Sequence, residues 1–330
     1  MKKSSFQLIN AKEIVKNVKI KPIKASDILI RIEPKPKRTT SSLRNKDDSF
    51  KKSWLQLNVT MNKDYKPPSE TNLNLVNHFF NKSQCVYEWS AAKLLDIPGE
   101  QMNLLYAKSQ NQVSSKVYPG KTKFPFQLVN PLPEIAFLGK TNVGKSTILN
   151  NLNTRFQNKD LDGFARMSKR AGFTKTLNCY NVGNRFRLID TPGYGFRSSG
   201  EQGTITTEYL LNRKELRRCF VLISAESMIT PHDDFIIGYL TDNGIPFEIV
   251  FTKMDKIKNL DTFIKSVEDS NIQNLPTLPK LIFTNSKTTK HLPNRFGVNY
   301  LRYSIFESCG LDPSIKPQNL HINPKTRTPK

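Results

Sequence analysis

Short runs of consecutive apolar residues punctuate the middle and C-terminal parts of the chain. "EIAFL" (134–138), "FRLID" (186–190), "CFVLIS" (219–224), "FEIVF" (247–251) and "KLIF" (280–283) are separated by stretches of helical spacing. That is the pattern of strands buried on both faces of a mostly parallel sheet. One pair departs from it. Only Gly183-Asn184 separates "LNCYNV" (177–182) from "RFRLID" (185–190), which predicts a tight hairpin and an antiparallel pair. The six runs predict an α/β fold: a mostly parallel six-stranded sheet with one antiparallel edge strand and helices on both faces. Helix signals agree, since Thr230 can cap a helix with Pro231 at its first position and Asn243-Gly244 can end it.

Upstream the pattern changes. "NLNLVNHFFNK" offers Leu73, Val76, Phe79 and Phe80 at helical spacing, and "SAAKLLDIPGE" is expected to form a short helix stopped by Pro98-Gly99. "EPKPKRTTSSLRNKDDS" (33–49) has nothing to bury and reads as linker. The expected organisation is a basic segment over 1–52 and an extension over 53–130 packed on the main domain. The main domain follows over 131–310, then a basic tail over 311–330.

Charge adds a partner class. The 330 residues carry 51 Lys+Arg against 28 Asp+Glu, a net +23, with 37 % apolar residues. That excess points to a polyanion such as nucleic acid, or to an anionic membrane surface; a targeting segment in a lysine-rich chain is the plainer alternative. The first 46 residues hold thirteen Lys or Arg and three acids (Glu13, Asp27, Glu33), and Leu8, Ile9, Val15 and Val18 can share one face of a basic helix. A mitochondrial transit segment and a plain basic tail both fit this composition. Cys85, Cys179, Cys219 and Cys309 form no CxxC pair, so neither a zinc site nor a disulfide framework is expected. No run approaches the 18 or so apolar residues of a membrane span, and stable membrane insertion is not expected.

Chemistry enters with "GKTNVGKST" (139–147), directly after "EIAFL" and opening a helical run. G-x-x-x-x-G-K-S in that setting is a phosphate loop. Gly139, Lys140, Thr141, Asn142, Val143 and Gly144 would wrap phosphate oxygens with backbone N–H groups. Lys145 would reach the β- and γ-phosphates, and Ser146 would hold Mg²⁺ beside Thr147 at the helix start. "LIDTPGYG" follows at a strand end, where Asp190 can reach the Mg²⁺ shell and the Gly193 amide the γ-phosphate. "FTKMDK" (251–256), comprising Thr252, Lys253 and Asp255, selects the base. The Asp255 carboxylate can accept from guanine N1–H and its amino group, and the Lys253 stem can lie along the ring. "TNS" (Thr284, Asn285, Ser286) can supply backbone and hydroxyl contacts to the guanine oxygen. The nucleotide is GTP, exchanged for GDP, in a P-loop NTPase of the G-domain type.

Between the first two motifs, "ARMSKRAGFTKTLNCY" (165–180) offers Thr174 as the switch residue closing over γ-phosphate and Mg²⁺, with Thr176 structural. Arg166, Lys169, Arg170 and Lys175 make the loop a possible RNA clamp or an ordinary solvated loop. Where a water-orienting glutamine would follow the "DTPG" glycine, the residue is Tyr194. Lys145, Thr174 and Gly193 are therefore the expected catalytic groups. Asn142 is either a ligand of a monovalent cation such as K⁺ or only a brace for its loop.

"PEIAFLGKTNVGKSTILNNL", "ARMSKRAGFTKTLNCY", "LIDTPGYG", "EYLLNRKELRRCFVLIS" and "GIPFEIVFTKMDK" together resemble the EngB (YihA) GTPases, relatives of Era and TrmE, over roughly 131–310. The resemblance implies a GTPase acting in assembly of the large ribosomal subunit, and the protein is expected to be monomeric. With the basic extension it implies a fungal member in the mitochondrial matrix, acting on the mitochondrial large subunit or its rRNA precursor. The sequence departs from the family's pattern at Ala171, Phe173 and Lys175 in the loop and at Ser224 and Glu226 after "FVLI". Two other readings compete: a ribosome- or RNA-binding protein that holds GTP without hydrolysing it, and a membrane-trafficking G protein. The last is disfavoured by the basic balance and by the ending "TRTPK", which lacks a lipidation cysteine.

Overall fold

The computed structural model describes residues 56–101, 131–155, 158, 161, 176–194, 200–288 and 294–318, all within the unit Lys46–Lys330. The basic segment 1–52 and the loop 165–175 lie outside the described residues. Seven strands form one sheet: β1 (Cys85–Ala91), β2 (Glu134–Gly139), β3 (Leu177–Val182), β4 (Phe186–Asp190), β5 (Leu216–Ser224), β6 (Phe247–Thr252) and β7 (Leu281–Phe283). Their order is β1-β3-β4-β2-β5-β6-β7. From β4 to β7 the strands run parallel, as the uninterrupted apolar runs require. β3 pairs antiparallel with β4 through Gly183 (φ 56°) and Asn184 (φ 52°), the two left-handed residues of a tight hairpin.

Among the described residues the sheet has seven strands, not the expected six, and the antiparallel β3 is not the edge. β1 pairs antiparallel with β3 and takes that position. Its sequence hides it. The register shifts between Tyr87 and Trp89, and this bulge breaks the period of two by which a half-exposed strand is recognised. The same pairing corrects the helix expected in "SAAKLLDIPGE". Ser90 and Ala91 belong to β1, only Leu94–Asp96 make a 3₁₀ turn, and Pro98 opens a helical turn over 98–101 instead of stopping one. Proline's fixed φ and missing N–H suit the first turn of a helix.

Helices cover both faces. Along β2, Ile135 and Phe137 enter one apolar cluster while Ala136 and Leu138 enter the other. On the first face lie α1 (Glu70–Lys82), α2 (Lys145–Asn153) and α6 (Val298–Ser308); on the second, α3 (Gly200–Asn212), α4 (Pro231–Asp242) and α5 (Leu260–Asp269). α1 is capped by Ser69, which accepts from the Asn72 amide, and it buries Leu73, Val76, Phe79 and Phe80. Phe79 meets Phe306 of α6 edge-on at 4.8 Å. Burying each such side chain contributes about 1.5–3 kcal/mol. α4 starts at Thr230 with Pro231, as expected. Asp233 completes its capping box by accepting from the Thr230 amide at 3.0 Å, and Gly244 (φ 64°) follows its end.

A buried ionic cluster ties the extension to the start of β2. Glu134 accepts from Arg213 at 2.7 and 2.9 Å and from the Tyr209 hydroxyl at 2.8 Å, both on or beside α3. Arg213 also pairs with Glu100 at 2.7 Å, and Arg187 of β4 pairs with Glu88 of β1 at 2.6 Å.

Candidate nucleotide site

The parallel strands end on one side of the sheet, where the loops after β2, β4, β6 and β7 gather. Gly139 closes β2 and α2 starts at Lys145, so residues 140–144 make the whole turn. Its curl uses two left-handed residues, Asn142 (φ 65°) and Gly144 (φ 109°). Asparagine tolerates the first; the second belongs to glycine. A Cβ on Gly139 would lie 2.7 Å from Val143 Cγ1, so the loop closes only on a bare backbone there. Ser146 and Thr147 sit in the first turn of α2, whose free amides and dipole favour an anion.

Lys145 is 7 % exposed, and its Nζ donates to the Gly139 carbonyl at 3.0 Å and the Lys140 carbonyl at 3.5 Å. Burial pulls its pKa down, and Asp190 acts against that. Asp190, the last residue of β4, is 3 % exposed; burial pushes its carboxyl up to about 6, with Lys145 pulling the other way. Among the described residues its Oδ1 has no hydrogen-bond partner. A buried carboxylate oxygen left so is costly, and a hydrated divalent cation would satisfy it. Among the described residues no group of three or more His, Cys, Asp or Glu could hold a metal. Mg²⁺ at this place would therefore draw further ligands from phosphate, water and the Ser146 hydroxyl.

Gly193 presses closely on the same point. A Cβ there would stand 3.1 Å from the Thr141 amide and hydroxyl and 3.2 Å from Lys145 Nζ. The Thr141 amide donates to the Tyr194 carbonyl at 3.3 Å, and Lys140 and Tyr194 form a parallel bridge, so the "DTPG" segment docks on the phosphate loop.

At the base end, the Thr252 hydroxyl donates to the Val143 carbonyl at 2.7 Å, which ties β6 to the phosphate loop. Lys253 (φ 57°) then turns the chain into a 3₁₀ turn, Met254–Lys256, in which Met254 is buried and Asp255 half-buried. Burial, with Lys256 next, lowers the Lys253 pKa. Thr284 spends its hydroxyl on the Phe251 carbonyl at 3.1 Å. Asn285 pairs through its backbone with Phe296 at 3.1 and 3.3 Å, and its Nδ2 donates to the Lys287 carbonyl at 2.7 Å. Asn285 Oδ1 has no partner among the described residues but can only accept, so of the "TNS" side chains the half-buried Ser286 hydroxyl stands nearest to service as a donor to the guanine oxygen. It accepts from Asn151 Nδ2 at 2.8 Å.

Gly139 to Thr147, Asp190, Gly193, Thr252 to Asp255 and Thr284 to Ser286 thus share one end of the sheet. Thr174, with Arg166, Lys169, Arg170 and Lys175, lies outside the described residues. Thr176 bonds Asn178 at 3.3 Å. Sequence reasoning missed three supports. Thr191 donates to the Phe137 carbonyl at 2.8 Å and fixes the start of "TPG". The Tyr194 hydroxyl donates to Asp233 at 3.1 Å, while Lys140 donates to Thr230, which donates to Asp233 at 2.6 Å. Asn151 and Arg295 stand behind Ser286. The Thr230-x-x-Asp233 spacing was a signal for the second; the others pair residues far apart in sequence.

The family model described as "50S ribosome-binding GTPase" matches residues 134–253. "MIOREX complex component 8" of Saccharomyces cerevisiae is 51 % identical over 259 residues, covering 78 % of this chain and 81 % of that protein. "Probable GTP-binding protein EngB" of Wolbachia sp. subsp. Brugia malayi is 42 % identical over 142 residues, 41 % of this chain and 69 % of its own length. Among solved structures, a probable GTP-binding protein engB aligns at 24 % identity and TM-score 0.38, covering 54 % of this chain and 98 % of the other. At that score it adds nothing to the fold read from the strand order. The sequence relatives are decisive: the chain belongs to the EngB family and is an EngB-type GTPase.

Proposed function

We propose that the protein couples GTP binding and hydrolysis to assembly of the large subunit of the mitochondrial ribosome, its affinity for ribosomal RNA changing with nucleotide state. The observation that carries the nucleotide half is the burial of Lys145 and Asp190 at the strand ends, with Gly193 pressed close to Lys145 Nζ and Asp255 at the neighbouring loop. The ribosomal half is supported by the 50S ribosome-binding description of the matching family model. Charge supports it too: removing 1–52 takes fifteen basic and five acidic residues, so +23 − 10 leaves +13 on the rest. The basic, acid-poor first 46 residues support a matrix location.

In this reading the backbone of Gly139 to Thr147 cradles the phosphates, Lys145 neutralises β- and γ-oxygens, and the Gly193 amide meets the γ-phosphate. Asp255 accepts from guanine, with Lys253 along the ring. Ser146, Asp190 and Thr174 would hold Mg²⁺, which when bound neutralises charge on the phosphate oxygens. Tyr194 offers the attacking water no side-chain amide, and its hydroxyl is engaged by Asp233, so intrinsic turnover is slow. Asn142 holds a monovalent cation or only braces the loop, and its left-handed backbone is reason enough for an asparagine. Turnover in potassium and sodium at equal ionic strength, for wild type and Asn142→Ala, separates these roles. Potassium-specific acceleration lost in the variant supports the cation; equal rates leave the ribosome as the source of stimulation. The absence of any turnover with large subunits added would favour the non-hydrolysing reading.

A further inference from the structure

The base loop is wired to the phosphate helix through two side chains that no nucleotide motif contains. Arg295 is 4 % exposed. Its Nη1 donates to Asn151 Oδ1 and, at 3.4 Å, to the Asn151 carbonyl, while Nη2 donates to the Arg155 carbonyl at 2.5 Å. A guanidinium carries donors and no acceptor, so the Asn151 amide has to turn its oxygen toward Arg295. Its nitrogen then faces the base loop, where Nδ2 donates to Ser286 Oγ at 2.8 Å. Asn151 is fully buried on α2, six residues beyond Lys145 and hence about 9 Å along the axis.

The direction of these bonds has a chemical consequence. A hydroxyl whose oxygen accepts from Asn151 keeps its own proton for a different partner. Guanine carries an acceptor at C6, a carbonyl; adenine carries a donor there, an amino group. We infer that Arg295 and Asn151 are positioning residues that orient the Ser286 hydroxyl as a donor to the C6 carbonyl of guanine. Donor polarity thus passes from a buried cation to the base. The same helix that presents Lys145 to the phosphates fixes the base loop from its second turn. The inference rests on the reading of 284–286 as the base loop.

Asn151→Asp is the sharp variant. A carboxylate still accepts from Arg295, but it also accepts the Ser286 proton, so the brace stays and the hydroxyl turns its lone pairs outward. Equilibrium binding of GDP and of 6-thio-GDP by the full-length protein reads the effect. The sulfur analogue keeps N1–H and the amino group and weakens only the C6 acceptor. Wild type should prefer GDP by roughly three- to tenfold, the worth of one neutral hydrogen bond. In Asn151→Asp and in Ser286→Ala the ratio should fall toward one. A wild-type ratio retained in either variant, or no preference in wild type, overturns the inference, and Ser286→Ala decides alone if Asn151→Asp does not fold. Asp255→Asn is the control for the underlying reading. It should weaken both ligands alike; if it leaves GDP binding intact, the reading of this end of the sheet as the guanine site fails rather than the wiring.

Discussion

At the scale of single residues, two carboxylates carry opposite duties. Asp255 is half-buried on a short turn that Met254 anchors in the core, where it can present both oxygens to a base. Asp255→Asn should lower affinity for GDP and raise it for xanthine nucleotides, whose extra carbonyl suits an amide donor. A competition assay with unchanged GTP preference would contradict the assignment. Asp190 is instead sealed in, with its carboxyl pushed up to about 6 from an ordinary 3.8 by burial. A raised carboxyl means that the nucleotide-free fold prefers the protonated form. Its contribution to stability is full below about pH 4 and is lost as pH rises through about 6. Asp190→Asn should therefore stabilise the nucleotide-free protein at pH 8, by roughly 1–3 kcal/mol, and not at pH 4. Mg²⁺-nucleotide binding, which in the proposed function uses the carboxylate, should strengthen between pH 5 and 7. Urea denaturation at the two pH values checks the sign; destabilisation at pH 8 would refute it.

The residues proposed to touch phosphate and base could be picked out because each motif is contiguous and sits at a strand end. What was hidden depends on tertiary contact. Nothing local in "NRFG" marks Arg295 as the donor that orients Asn151, 144 residues earlier.

Among the elements, α2 is held at both ends. Its N-terminus is the phosphate loop, and its C-terminus is closed by Arg302 of α6, which is fully buried. Arg302 donates to the Leu152 carbonyl at 2.7 and 3.1 Å, to the Thr154 carbonyl at 2.8 Å and to Asn77 Oδ1 of α1 at 2.9 Å. Its guanidinium also lies 4.9 Å over the Phe80 ring. One cation thus joins the extension to the phosphate helix and meets carbonyls at the negative end of the helix dipole. Arg302→Leu leaves those carbonyls without their donor in the core and should cost about 3–5 kcal/mol. Chemical denaturation measures it; a loss below 1 kcal/mol would mean that the carbonyls find other donors. α1 itself was legible, since Leu73, Val76, Phe79 and Phe80 keep helical spacing and all four are buried. β1 was not, because its bulge and its exposed Tyr87 erase the alternation. An edge strand takes half of its pattern from solvent, and a bulge removes the rest.

At the scale of the whole molecule, the parallel order was legible because strands covered on both faces leave short continuous apolar runs bounded by turn signals and separated by helical spacing. Charge was legible as a quantity but not as a surface, since the most basic stretch, 1–52, lies outside the described residues. The +13 on the remainder supports the proposed polyanionic partner. Such binding should fall steeply with salt as counterions are released from each neutralised phosphate. Co-sedimentation of the full-length protein with mitochondrial large ribosomal subunits, in GDP and in a non-hydrolysable GTP analogue across a salt series, tests nucleotide-switched ribosome binding most directly. The protein should travel with the subunits in the analogue and leave them in GDP, with Asp255→Asn transferring the requirement to a xanthine analogue. Equal co-sedimentation in both nucleotide states would contradict it.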